Sequence, residues 1–114
     1  MITLWHNPRC SKSRQALALL EEAGAQVAQR RYLEDAPTLD ELKAVHAAMG
    51  HPPVIDMMRP QEAAFKAAGL SKSDDDATIL QAMADHPKLI ERPVAIKGDR
   101  AVLGRPPEAV LSLI

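Results

Sequence analysis

The chain has 114 residues, of which 46% are hydrophobic and 25% charged, with a net charge of −1. This predicts one small globular domain over 1–114, and the balanced charge and three aromatic residues argue against a nucleic-acid binder. One cysteine excludes an intrachain disulfide, and neither a signal peptide nor an apolar run of ~20 residues is recognisable. We therefore expect a cytoplasmic protein that does not bind membranes. We also expect it to be a monomer.

Two strands and a helix are predicted in the first third of the chain. The apolar run at 2–5 predicts a buried strand that stops at His6-Asn7-Pro8. Apolar residues at helical spacing predict a helix over 11–23, with Gly24 as its stop. The more polar run at 27–33 predicts a second strand at a sheet edge. A β-α-β unit of this length favours parallel strands with a right-handed crossover.

The middle of the chain, about 38–86, is predicted to be a helical insertion. Thr38 and Glu41 form a capping box before a helix that ends at Gly50. Further helical segments are predicted over 54–59, 61–68 and 75–85, and Ser73 with three following aspartates is expected to cap the last of these.

The last third predicts a β-hairpin and a final helix. Strands at 94–97 and 101–103 flank a Gly98-Asp99 turn. Pro106 suits the first position of a last helix, which is predicted over 107 to about 113. The order βαβ, helical insertion, ββα requires a mixed sheet, because a hairpin pairs its strands antiparallel. The predicted fold is therefore α/β and thioredoxin-like, with a four-stranded mixed sheet.

Cys10 lies at the predicted strand-to-helix turn, where helix N–H groups and the helix dipole stabilise a thiolate. Arg9, Lys12 and Arg14 surround it in sequence, and the first twenty residues contain no acid. This positive charge lowers a thiol pKa, and His6 would add to it if protonated. The alternative is a small buried hydrophobic residue.

Ser13 occupies the position of the second thiol in a C-x-x-C motif. An oxidised Cys10 therefore needs a thiol from another molecule, such as glutathione or a redoxin. The Ser13 hydroxyl either donates to the Cys10 sulfur or is an ordinary first-turn serine. No metal site is expected, because His6 and Cys10 are the only soft ligands close in sequence.

Three arginines precede prolines, and proline pushes the residue before it out of helical geometry, towards element boundaries. If they converge on the thiolate, their guanidiniums can hold a tetrahedral oxyanion; otherwise they are unrelated surface residues. The thioredoxin-like reading also predicts that the peptide bond before Pro93 is cis. The arginines are Arg59, Arg92 and Arg105.

Residues 6–14, HNPRCSKSR, resemble the H-N-P-x-C-x-x-S-R signature of the glutaredoxin-dependent arsenate reductases. The segments around the three Arg-Pro pairs resemble the later motifs of the same family. The resemblance implies that Cys10 attacks arsenate, that glutathione as co-substrate reduces the adduct, and that glutaredoxin clears the mixed disulfide before arsenite leaves. It implies no bound cofactor. It assigns arsenate binding to Arg59, Arg92 and Arg105, and tuning or shielding of the thiolate to His6, Ser13 and Arg14.

Two departures from the family pattern bear on this assignment. Pro60 follows the first arginine where the family more often has another residue, and the chain stops at Ile114, short of the C-terminal extension of the best-known members. Two alternatives stay open: a glutathione-linked thiol-disulfide oxidoreductase of the same fold, and a regulator that binds RNA polymerase. Ser13 counts against the regulator, because such relatives usually carry a C-x-x-C switch.

Overall fold

The computed structural model describes all residues, 1–114. They divide into two compact units. The first combines Met1–Asp35 with Arg92–Ile114, and the second is Ala36–Glu91. The bounds of the second unit are close to those of the predicted helical insertion, about 38–86. That the chain folds as a single domain stays a prediction. No helix has both the length and the apolar character needed to cross a membrane.

The first unit contains a four-stranded sheet in the order β2-β1-β3-β4. Strand β1 pairs parallel with β2 and antiparallel with β3, and β3 pairs antiparallel with β4. The predicted thioredoxin-like mixed sheet is therefore confirmed, with the polar strand at its edge. The elements are β1 (Ile2–Trp5), α1 (Ser11–Glu22), β2 (Val27–Arg30), β3 (Val94–Lys97) and β4 (Arg100–Leu103).

Strand register brings three chain segments to one edge of this sheet. Trp5 at the end of β1 is opposite Arg30 at the end of β2 and Val94 at the start of β3. The carboxyl ends of parallel strands are where ligand sites form in α/β sheets. The loop between β1 and α1 therefore starts beside both the end of β2 and the Arg92-Pro93 segment.

The core of the first unit packs α1 and the last helix against the sheet. Alternating residues of β1, Ile2 and Leu4, face the same side and pack in one cluster with Leu20 of α1. The 3₁₀ helix Pro107–Leu113 contributes further buried side chains to the same cluster. The remaining buried members are Ala16, Ala95, Val110 and Leu113.

Strand β2 is shorter than predicted. It ends at Arg30, and the backbone N–H groups of Glu34 and Asp35 each donate to the Arg31 carbonyl at 2.9 Å. Tyr32 is 1% exposed within this turn. Burial of the aromatic ring stabilises a turn where the β-favouring residues predicted continued strand.

The bounds of the final helix, predicted over 107 to about 113, are confirmed, and it is a 3₁₀ helix over Pro107–Leu113. Pro106, which suited its first position, is the residue that precedes it.

The second unit is helical, as predicted. It contains α2 (Leu39–Ala48), α3 (Ala63–Ala67), α4 (Asp76–Asp85) and the 3₁₀ turns Val54–Met57 and Pro87–Leu89. The Thr38–Glu41 capping box is confirmed. Asp75, rather than Ser73, caps α4 by accepting from the Thr78 N–H; the Ser73 hydroxyl instead contacts that of Ser71.

Candidate active site

Cys10 is the N-cap of α1, with extended backbone angles (φ −94°, ψ 123°). Its N–H donates to the Asn7 carbonyl and its carbonyl accepts from the Arg14 N–H, both at 3.0 Å. The Asn7 side chain accepts from the Arg9 N–H at 3.0 Å. These bonds close the loop into a turn that leaves Cys10 9% exposed. The structure places Cys10 at a strand-to-helix turn, as the sequence predicts.

The surroundings of the Cys10 thiol favour its ionised form. Burial raises the Cys10 pKa, but the backbone N–H of Ser13, the charge of Arg92 and the backbone N–H of Lys12 together lower it below its ordinary value. The Arg92 side chain also donates a hydrogen bond to the sulfur. A helix N-terminus and a guanidinium thus both stabilise the thiolate.

His6 and Ser13 form a buried pair beside this turn. His6 Nδ1 and Ser13 Oγ share a hydrogen bond of 2.7 Å, and the Asn7 N–H donates to the same hydroxyl at 3.0 Å. The Ser13 hydroxyl is therefore engaged by His6 and Asn7, whereas its backbone N–H contributes to the lowered Cys10 pKa. Both residues are less than 5% exposed.

The pKa of His6 is lowered by its burial and by the charges of Arg31 and Arg14. This shift favours the neutral imidazole over the imidazolium. The contribution of His6 is to fix the Ser13 hydroxyl and, through it, the first turn of α1.

Arg14, in the first turn of α1, contacts the loop that precedes Cys10. Its Nη1 donates to the Pro8 carbonyl at 2.9 Å, and its side chain is exposed. This bond ties the first turn of α1 to the residues that precede Cys10. Tuning of the thiolate by Arg14 stays a prediction.

Arg92 and Arg105 meet at the base of the hairpin. Arg105 Nε donates to the Arg92 carbonyl at 3.1 Å, and Nε and Nη1 of Arg92 are buried. The peptide bonds Arg92–Pro93 and Arg105–Pro106 are both cis, the first in agreement with the sequence expectation. The structure therefore places Arg92 where its charge acts on Cys10, and places Arg105 against the Arg92 backbone.

Arg59 belongs to the second unit and pairs there with carboxylates. Its Nη1 donates to Glu62, and its Nε lies 4.0 Å from Glu91 Oε1. Its backbone N–H donates to the Leu89 carbonyl at 2.7 Å, next to the bridge between Met58 and Ile90. Its role in anion binding stays a prediction.

Cys10 is the chain's only cysteine, so its sulfur can form a disulfide only with a thiol from another molecule. No group of three or more His, Cys, Asp or Glu side chains is arranged to hold a metal ion. The site thus combines one thiol at the start of α1 with the nearby charge of Arg92.

Gly104 is a positioning residue that the sequence did not reveal. A Cβ at this position would lie 2.5 Å from Pro93 Cγ and 3.3 Å from Val110 Cγ1. The Gly104 N–H donates to the Pro93 carbonyl at 2.8 Å. Only glycine allows this close approach of the chain after β4 to the residue that follows Arg92.

Gly104→Ala is expected to lower the free energy of unfolding by about 1–3 kcal/mol, because overpacking displaces Pro93. It should also raise the Cys10 pKa, since Arg92 is bonded to Pro93. Urea unfolding and thiol titration measure the two effects. Gly98→Ala is the matched control: it has open space but a φ of 60°, so it should lose stability without moving the Cys10 pKa. An unchanged Cys10 pKa in Gly104→Ala would contradict the positioning role.

The Cys10 pKa is expected to lie below the free-thiol value of about 8.5. Thiolate absorbance near 240 nm, titrated against Cys10→Ser as the blank, measures it directly. Arg92→Gln should move the midpoint upward, because both a positive charge and a hydrogen bond to the sulfur are lost. A wild-type midpoint at or above the free value contradicts an activated thiol.

Comparison with known proteins places this arrangement in a family. The chain matches the ArsC family over residues 5–113. It is 40% identical to an arsenate reductase of Haemophilus influenzae, over 99% of this chain and 98% of that protein. It is 41% identical to an arsenate reductase of Neisseria meningitidis, over 99% and 97%. Its structure matches that of an arsenate reductase from Vibrio cholerae with a TM-score of 0.92 and 43% identity, over 99% and 97% of the two chains. This chain belongs to the ArsC family.

Proposed function

We propose that this protein reduces arsenate to arsenite, with Cys10 as the single nucleophile, glutathione as the reductant and glutaredoxin as the regenerating partner. The observation that carries the proposal is the position of Cys10 as the N-cap of α1, where the Ser13 and Lys12 N–H groups and the charge of Arg92 lower its pKa. The relatives named arsenate reductase support the choice of arsenate.

Arsenate binding falls to Arg92 and Arg105 in the first unit. A tetrahedral oxyanion accepts several hydrogen bonds at once, and guanidiniums offer planar, paired donors. Arg105 donates its Nε–H to the Arg92 carbonyl, which keeps the two arginine segments next to each other. The same positive charges that stabilise the thiolate therefore attract the oxyanion to it.

The first step is attack by the Cys10 thiolate on arsenic. A sulfur–arsenic bond forms, an arsenic–oxygen bond breaks, and the departing hydroxyl takes up a proton and leaves as water. Arsenic stays As(V) in this step. Ser13 and Lys12 N–H groups, which stabilise the thiolate, release it to the electrophile without a change of backbone.

The second step transfers two electrons. A glutathione thiolate attacks the Cys10 sulfur, the sulfur–arsenic bond breaks, and its electron pair reduces As(V) to As(III). The two thiols are oxidised to a Cys10–glutathione disulfide. A glutaredoxin thiolate then attacks the glutathione sulfur and releases the Cys10 thiolate. Because Ser13 replaces a resolving thiol, we infer that regeneration needs this outside thiol, and a reducing cytoplasm supplies it.

The test is an arsenate-dependent NADPH-consumption assay coupled through glutathione, glutaredoxin and glutathione reductase, with arsenite measured by chromatography. We expect NADPH oxidation to require arsenate, glutathione and this protein together. One mole of NADP⁺ should form for each mole of arsenite. Phosphate in place of arsenate is the control for an inert oxyanion. NADPH oxidation without arsenite would contradict the proposal.

The same assay separates the two alternatives. Turnover of a glutathione mixed disulfide, with none of arsenate, would identify a thiol-disulfide oxidoreductase. No turnover of either, with binding to purified RNA polymerase, would identify a regulator. The proposed function predicts arsenate turnover and no polymerase binding.

A further inference from the structure

A second feature of the first unit is a cleft beside the Cys10 loop, with a volume of about 360 Å³. Its walls come from the loop after β1 and the turn after β2. These two strands are parallel, so both segments leave the same edge of the sheet. The lining residues are His6, Asn7, Pro8, Arg9, Arg31, Leu33 and Glu34. The steps of the reaction described above use none of the charged residues in this cleft.

The charges in the cleft form a distinctive set. Two guanidiniums, Arg9 and Arg31, and one carboxylate, Glu34, line it, and all three side chains are exposed. No ion pair joins either arginine to Glu34 in the structure. Leu33, 41% exposed, adds an apolar surface to the same wall. The Arg31 charge reaches into the site, because it helps to lower the pKa of His6.

We propose that this cleft binds glutathione, with Arg9 and Arg31 on its two carboxylates and Glu34 on its ammonium group. At pH 7 glutathione carries two carboxylates and one ammonium, which is the complement of the cleft's charges. Its volume lies within the range of small-molecule sites. The inference rests on the proposed function, because that function requires a thiol reductant. The binding of glutathione itself does not require arsenate.

The position of the cleft suits the second chemical step. Four consecutive residues of its wall, His6, Asn7, Pro8 and Arg9, lead directly into Cys10. A tripeptide spans roughly 10 Å when extended, which is enough for its central cysteine to lie near the loop while its ends contact the wall. Arg92 and Arg105 do not line this cleft, so the reductant and the oxyanion use separate cations.

Binding is tested with S-methylglutathione, which carries the charges of glutathione but no thiol. Titrated into ¹⁵N-labelled protein, it is expected to shift the backbone signals of Asn7, Arg9, Arg31 and Glu34. Arg31→Gln should weaken its Kd roughly three- to tenfold, the loss expected for one exposed charge-assisted pair. Lys97→Gln, which removes an exposed charge outside the cleft, is the matched control and should keep the wild-type Kd.

The ammonium contact has its own test. N-acetyl-S-methylglutathione lacks the positive charge, so it should bind the wild type more weakly than S-methylglutathione does. In Glu34→Gln the two ligands should bind equally, because the carboxylate that distinguishes them is gone. An undiminished preference for the free ammonium in Glu34→Gln overturns this orientation of the ligand.

Kinetics separate this inference from the proposed function. In the coupled assay Arg31→Gln should raise the KM for glutathione three- to tenfold, leave the KM for arsenate unchanged, and leave unchanged the rate driven by the uncharged thiol dithiothreitol. If Arg31→Gln and Glu34→Gln reduce arsenate and keep the wild-type Kd and KM for the glutathione ligands, the proposed binding of glutathione in the cleft is wrong and the proposed function stands. If S-methylglutathione binds in the cleft but the protein does not reduce arsenate, the binding proposal is supported and the proposed function is wrong.

Discussion

Cys10→Ser is expected to lower the rate of arsenate reduction by at least roughly a thousandfold. Serine nearly preserves the size of the side chain, so the turn at the start of α1 should persist. What is lost is chemical: a hydroxyl is not ionised by the surrounding N–H groups and Arg92 as a thiol is, and oxygen cannot form the disulfide that carries away two oxidising equivalents. No other cysteine in the chain can replace it.

The measurement is single-turnover formation of arsenite together with the coupled NADPH assay. Circular dichroism and thermal unfolding establish that Cys10→Ser is folded. Ser11→Ala, an exposed change at the first residue of α1, is the control for disturbance of the loop and should retain wild-type turnover. Arsenite production by Cys10→Ser above a tenth of the wild-type rate would show that another group attacks arsenate.

Most of the fold could be predicted because its signals are local. The capping box at Thr38 and the stop at Gly24 are set by side-chain and backbone preferences within a few residues. The mixed sheet follows from connection lengths: twenty-odd residues with a helix between β1 and β2, and a tight turn between β3 and β4. The end of β2 could not be predicted, because it depends on where the Tyr32 ring is buried.

The site was predictable where sequence neighbours are spatial neighbours. Cys10, its flanking cations and the helix start are contiguous, and Arg92 and Arg105 flank one hairpin whose base must bring them close. The direction of each bond was not predictable. The Ser13 hydroxyl turns to His6, seven residues away, because the loop between β1 and α1 folds back on itself.

The residues that sequence reasoning missed act through distant contacts. Gly104, directly after β4, matters because its backbone lies against Pro93, and a single glycine at the end of a strand gives only a weak signal of such a contact. Arg31 was read as part of a strand, and its influence on His6 became visible only with the turn in place. Glu62 pairs with Arg59 across a turn before α3, and Glu91 comes from a remote segment, so neither pairing follows from a local helical pattern.

Arg92→Lys and Arg105→Lys are each expected to lower kcat/KM for arsenate at least about tenfold. Loss of a charge-assisted hydrogen-bonding pair in a partly desolvated site costs about 1.5–3 kcal/mol, or roughly ten- to a hundredfold. Lysine keeps the charge but replaces a planar fork with one rotating ammonium. Arg92 should show the larger loss, because Nε and Nη1 of its guanidinium are buried and it also bonds the Cys10 sulfur.

Steady-state kinetics with arsenate give the loss, and alkylation by iodoacetamide separates its causes. Alkylation needs the thiolate but no anion site, so the lysine variants, which keep the positive charge, should alkylate at rates within about threefold of the wild type. Arg92→Gln loses that charge as well, and its alkylation at pH 7 should slow because the Cys10 pKa rises. Arsenate kinetics that stay at the wild-type level in both lysine variants would show that these two arginines do not hold the oxyanion, and the mixed-disulfide activity would then explain the site better.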